Sequence, residues 1–151
     1  MIIWLASYPK SGNTWLRFFI ISLLMGKKTK LNLQHLKAII AYPNVSQFEN
    51  LISNFLDLDE VAKNWIVSQQ ILNSDKSLRF LKTHNIFGKY KGYSFTDNEN
   101  TLGTIHIVRD PRNVVTSVKN HFSFKNYEHA KEFLFNENKI ITLSVQQKQK
   151  Y

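Results

Sequence analysis

Two periods of apolar residues alternate along this chain, and the switches between them mark its elements. Residues 2–6 are an unbroken apolar run of strand length bounded by turn residues, the pattern of a strand buried on both faces. From Thr14 to about Met25 the apolar positions recur at helical spacing, and Gly26 supplies a stop. A second helix is expected over residues 33–41, ended by Tyr42-Pro43. A third is expected over residues 59–72, capped by Asp57 or Asp59, with Val61, Trp65, Ile66 and Ile71 on its buried side. Residues 78–82 and 104–108 read as two further strands. The polar, glycine-containing segment 85–103 between them predicts irregular structure. Pro111 suits the first turn of a helix running from Arg112 to about Phe122, and residues 128–135 start another.

Strands alternating with helices predict an α/β fold, a parallel sheet with helices on both faces. In such sheets ligands gather at the carboxyl ends of the strands. Three polar features fall there: residues 7–13, 82–84 and 109–112. No repeat, low-complexity tract or linker interrupts the chain, so residues 1–151 are expected to form a single domain.

Composition narrows the chemistry. With 43% hydrophobic and 21% charged residues, the chain can bury a core and is not of the disordered class. It has no Cys, which excludes disulfides, a thiol nucleophile and thiolate metal sites. A net charge of +9 points to an anionic partner: a nucleotide, a sulfated or phosphorylated substrate, nucleic acid or a membrane surface. Lys27, Lys28 and Lys30, and Lys148 and Lys150 in a polar tail, read as solvated lysines. The longest apolar stretch, residues 18–25, is too short to span a bilayer, and no basic leader precedes the first apolar run. A cytoplasmic protein without membrane insertion is the expectation.

The first strand runs into "YPKSGNTWLR". A helix N-terminus offers unpaired N–H groups and partial positive charge to an anion. Gly12 lets the backbone approach closely, Ser11 and Thr14 add hydroxyl donors, and Lys10 adds a full charge. The order differs from the Walker pattern, because the lysine precedes the glycine, and the scattered aspartates offer no Mg²⁺ site. No metal is expected, and an ATPase or kinase reading loses its usual ion.

The same loop resembles the 5′-phosphosulfate-binding loop of sulfotransferases that use 3′-phosphoadenosine 5′-phosphosulfate (PAPS). "IHIVRDPRNVVTSVKNHF" is similar to that family's 3′-phosphate-binding strand, turn and helix, and "LKTH" stands where the family carries its general base. The resemblance covers residues 2–122 and implies a P-loop-like sheet flanked by helices. It implies transfer of a sulfuryl group from PAPS to a hydroxyl or amine acceptor, leaving 3′-phosphoadenosine 5′-phosphate (PAP). By resemblance, Lys10 contacts the bridging oxygen, and Ser11, Gly12, Asn13 and Thr14 hold the 5′-phosphate. Trp15 stacks on adenine, and Arg109 and Ser117 bind the 3′-phosphate. His84 is the general base, and Lys82 assists at the transferring group. Asn13 stands where many members have Thr.

Each role has a plainer counterpart. Trp15 alone reads as a core aromatic, Ser117 as a hydroxyl bonded to its own helix, and Lys82 as a solvated strand-end lysine. Asp110 and Pro111 shape their turn, and Arg112 helps only electrostatically. His106, inside a predicted strand, is expected to be buried structure, and His35, His121 and His129 have no comparable placement. Members of the family usually continue to a basic, glycine-containing segment over the 3′-phosphate; it has no match here, so the resemblance implies an incomplete, truncated domain. A non-catalytic PAP- or PAPS-binding scaffold, a P-loop kinase or ATPase, and a nucleic-acid binder are the other classes weighed. The last rests on charge alone, and no nucleic-acid partner is expected. The acceptor and the oligomeric state are not legible in the sequence.

Overall fold

The computed structural model describes residues 1–26 and 30–136. Lys27, Lys28 and the tail with Lys148 and Lys150 lie outside the described residues. Residues Met1–Arg109 form one compact unit and the described residues from Asp110 a second.

The first unit is built on a parallel sheet in the order β2-β1-β5, with β1 (Ile2–Ser7) between β2 (Arg79–Thr83) and β5 (Thr101–Ile107). Being central, β1 must bury both faces, and its sequence IIWLAS does so: Ile2, Trp4, Leu5, Ala6 and Ser7 are all buried. Alternation then sorts the core. Ile2, Trp4 and Leu81 face α2 (Leu58–Lys63) and α3 (Trp65–Asn73), packing with Val61, Trp65 and Leu72. Leu5 and Phe80 face α1 (Asn13–Met25), packing with Ile20 and Ile21. The sheet is thus parallel and covered by helices on both faces, as the alternating pattern predicts.

Several elements differ from their sequence-based expectations. The segment expected as a helix over 33–41 is a 3-10 helix, Leu33–Ala38, entered through a capping box in which Asn32 bonds Gln34 N–H and His35 Nδ1 accepts from Asn32 N–H. It stops early because the chain turns to line the outer edge of β2, where Tyr42 N–H bonds the Lys82 carbonyl (2.7 Å) and Lys82 N–H the Ile40 carbonyl (2.9 Å). The third helix is capped by Asp57 but divides at Asn64 into α2 and α3, and Ile71 is exposed. Beside Trp65 and Leu72, which pack on the core, the polar Ser68 and Gln69 share the buried face of α3. Gln69 Nε2 donates to the Phe95 carbonyl (2.6 Å) while its Oε1 accepts from Thr96 (2.6 Å). Segment 85–103 is not irregular throughout. It carries the hairpin strands β3 (Lys89–Tyr90) and β4 (Tyr93–Ser94), and β5 begins at Thr101. Lys91 (φ 48°) and Gly92 (φ 88°) form the two-residue turn, both with the positive φ that such hairpins use.

The second unit holds α4 (Pro111–His121) and α5 (Tyr127–Phe135) around its own core of Val114, Val118, Ala130 and Phe133. Pro111 takes the first helical position, Asp110 caps α4 by accepting from Arg112 N–H (2.9 Å), and Asn126 caps α5.

Trp4 ties the strands to the buried polar residues: its ring meets Tyr42, Phe87 and Phe95, and its Nε1–H donates to Thr101 Oγ1 (2.8 Å). Trp4→Ala should lower unfolding free energy by about 3–5 kcal/mol in urea titrations. Trp4→Phe, which keeps a ring and loses the hydrogen bond, should cost less.

Candidate active site

The parallel register brings the three strand ends level. Ala6 pairs with Thr83 and Ser7 with Ile107, so the residues that follow each strand emerge along one sheet edge. Alternation aims Leu5 and Ser7 of β1, and Phe80, Lys82 and the following His84, toward the α1 side.

The loop after β1 holds an unusual backbone. Lys10 has φ 68° and Gly12 φ 107°, both in the left-handed region. A side chain at Gly12 would meet nothing within 4 Å, so backbone angle and not crowding calls for glycine there, and the space beside it is open. Gly12 caps α1 with no side-chain bond, and the first intrahelical bond runs from Leu16 N–H to the Gly12 carbonyl (3.1 Å). The N–H groups of Asn13, Thr14 and Trp15 therefore precede the helix's own ladder. The first turn has no acidic residue to occupy them.

Both neighbouring strand ends are bonded to this loop. His84 Nδ1 lies 2.7 Å from the Ser7 carbonyl and 3.3 Å from Ser7 Oγ. A carbonyl oxygen only accepts, so Nδ1 carries the hydrogen and Nε2 keeps the lone pair. On the other side, Arg109 Nη1 donates to the Lys10 carbonyl (3.1 Å).

Charge gathers at the same place. Burial lowers the Lys82 pKa, and the positive charges of Arg17 and Lys10 lower it further. Burial, with Lys82 nearby, pushes the His84 imidazole down to about 4, against the opposing pull of the Ser7 carbonyl. His84 is therefore neutral at physiological pH, a proton acceptor at Nε2 and not a donor. Arg17, one turn into α1, has its Nη2 on the Leu36 carbonyl (2.5 Å) and a buried Nε without a partner. Lys10, Arg17 and Lys82, with Arg109 on the loop carbonyl and a neutral imidazole at His84, make this a positively charged site.

The other candidates fall as follows. Thr14 is exposed at the start of α1, and Trp15 is 72% exposed and stacked on Phe19 at 5.8 Å, so it is not a core aromatic. Ser11 is buried, with its N–H on the Tyr8 carbonyl (3.3 Å). Asn13 is buried too, and its amide points inward to the Leu5 carbonyl (2.8 Å) and Ser7 Oγ (3.1 Å). Lys82 is half-buried, not solvated. His106 lies in β5 but is exposed, contrary to the expectation of burial, because β5 is an edge strand. In the second unit, Ser117 is half-buried on α4, and the back-bonded hydroxyl is that of Thr116, on the Arg112 carbonyl (3.3 Å). Arg112 Nη2 folds onto Asp110 (2.6 Å) and holds that carboxyl below its usual range.

A sequence profile of the sulfotransferase domain matches residues 2–148. The chain belongs to the sulfotransferase domain family. No curated protein and no solved structure matches it. The three-stranded parallel sheet with its flanking helices is consistent with the P-loop-like fold of sulfotransferase domains. Among the described residues no helix is long and apolar enough to cross a membrane.

Two residues of this sulfotransferase domain were not singled out by sequence. Arg17 stands four positions after Asn13 on the same helix face, and Ser7 ends β1 on the same sheet face as Leu5; spacing carried both signals. The depressed His84 pKa has a sign that can be tested. The unfolded chain, with His84 near its ordinary 6.5, binds more protons than the folded one between there and about 4. Stability from this group is thus complete above about 6.5 and is lost as pH falls through that window. Denaturation from pH 7 to 4 should show a slope that is shallower in His84→Gln.

Proposed function

We propose that this sulfotransferase domain moves a sulfuryl group from PAPS to a hydroxyl or amine acceptor. The observation that carries the reading is geometric: His84 Nδ1 is bonded to the Ser7 carbonyl, which leaves the lone pair on Nε2, at the sheet edge where Lys82 lies near Lys10 and Arg17. The pairing suits a reaction in which an anionic donor is held beside a group that must take a proton.

The donor fits what these residues offer. The unladdered N–H groups of Asn13, Thr14 and Trp15, the Thr14 hydroxyl and Lys10 would hold the 5′-phosphosulfate. Trp15, exposed next to them, would stack on the adenine. Arg109 and Ser117 would take the 3′-phosphate, where a guanidinium can fork onto two oxygens.

In the reaction the acceptor oxygen or nitrogen forms a bond to sulfur as the bond from sulfur to the bridging phosphate oxygen breaks. His84 Nε2 takes the acceptor's proton. Lys10 neutralises the charge that builds on the departing phosphate, and Lys82 faces the transferring group. Donor charge beside Lys82 also offsets the Lys82 repulsion that adds to burial in depressing His84, raising its basicity when the donor is bound.

PAP should raise the melting temperature more than AMP or ATP does, since a bound ligand stabilises the native state. Equal shifts with AMP would remove Arg109 and Ser117 as 3′-phosphate ligands. Lys10→Ala should abolish the PAP shift. His84→Ala should keep that shift while losing sulfuryl transfer by about 10²-fold or more; turnover at the unaltered rate would remove His84 as the base.

A further inference from the structure

The amide of Asn13 lies in a place that a phosphate ligand would not choose. Its Nδ2 donates to the Leu5 carbonyl (2.8 Å) and to Ser7 Oγ (3.1 Å), both within the sheet edge and buried. The orientation is fixed by chemistry. Turning the amide over would set Oδ1 against the Leu5 carbonyl, two acceptors at hydrogen-bond distance. Ser7 in turn meets His84 Nδ1 twice, through its carbonyl (2.7 Å) and its hydroxyl oxygen (3.3 Å). Ser7 Oγ therefore accepts from Asn13 on one side and faces the imidazole on the other. A chain of bonds runs from the first residue of α1, through the last residue of β1, to the residue after β2.

We propose that Asn13 and Ser7 are positioning residues that hold the proton of His84 on Nδ1 and its lone pair on Nε2, making the phosphate-binding loop and the base one hydrogen-bonded unit. The significance of that unit rests on the reading of His84 as general base. Asn13 presents its backbone N–H outward at the helix start and its side chain inward to the base. Ser7, 5% exposed, provides both acceptors for the imidazole N–H. Loop and base then cannot shift independently.

The test uses the full chain labelled with ¹⁵N in histidine, at pH 7 and without donor. His84 should show one tautomer, protonated at Nδ1. The Ser7 carbonyl remains in both variants, so Ser7→Ala and Asn13→Ala should keep Nδ1–H as the main form while a minor Nε2–H population appears, and Ser7→Thr should restore the single form. In transfer assays each alanine variant should lose about tenfold in kcat, the scale of one neutral hydrogen bond, with KM for PAPS unchanged, and the double variant should lose no more than either single one. A wild-type His84 protonated on Nε2 would overturn the proposal, as would a single tautomer that persists in both variants. A raised KM for PAPS in Asn13→Ala, with the His84 spectrum intact, would make Asn13 a donor ligand instead. Asn13→Ala strips the Leu5 carbonyl of a buried donor; should it fail to fold, Ser7→Ala and the wild-type spectrum decide. The tautomer measurement involves no donor and no turnover, so a wild-type chain that transfers nothing would count against the proposed function while leaving the positioning question answered.

Discussion

Everything at the candidate site depends on the parallel register of β1 between its two neighbours. With Ala6 opposite Thr83 and Ser7 opposite Ile107, three chain segments leave the sheet at one level. The long-range bonds from His84 to Ser7 and from Arg109 to Lys10 then follow from position alone. A slip of one residue in β2 would send Lys82 and His84 into the core around Trp4, and Leu81 and Thr83 to the loop. The apolar alternation that builds the two cores is therefore the same device that aims the cations.

The site is assembled against its own electrostatics. Lys82 is partly withdrawn from water and set near Lys10 and Arg17, and both influences disfavour its charge. The burial of Ile2, Trp4 and Leu5 in the central strand offsets that repulsion. An anion at the loop would relieve it, so the folded chain is preorganised for negative charge and binding need not first create the cluster.

Much of this was legible in the sequence, for physical reasons that also explain the gaps. A strand buried on both faces and a long amphipathic helix leave strong periodic signals, so β1, the loop and α1 could be read directly. Two-residue strands leave none, so β3 and β4 fell within the segment expected to be irregular. The 3-10 helix at Leu33–Ala38 and the break at Asn64 were lost because capping and edge pairing override helical spacing there. The exposure of His106 depends on β5 being an edge strand, which is a fact of topology and not of local pattern. The motif order pointed to Lys10, Lys82, His84 and Arg109, while Ser7 and Arg17 needed the register and the helix face to become neighbours of the others.

The left-handed backbone at Lys10 sets heat resistance against chemistry. A lysine at φ 68° carries a conformational cost of about 1 kcal/mol or more that glycine would not. The bond it receives from Arg109 goes to its carbonyl and would survive loss of the side chain. A screen that ranks variants by melting temperature alone would thus favour Lys10→Gly, at the position where the proposed reaction requires a charge. Thermostability selection on this chain would disarm the loop while improving the fold, unless anion binding is scored alongside it.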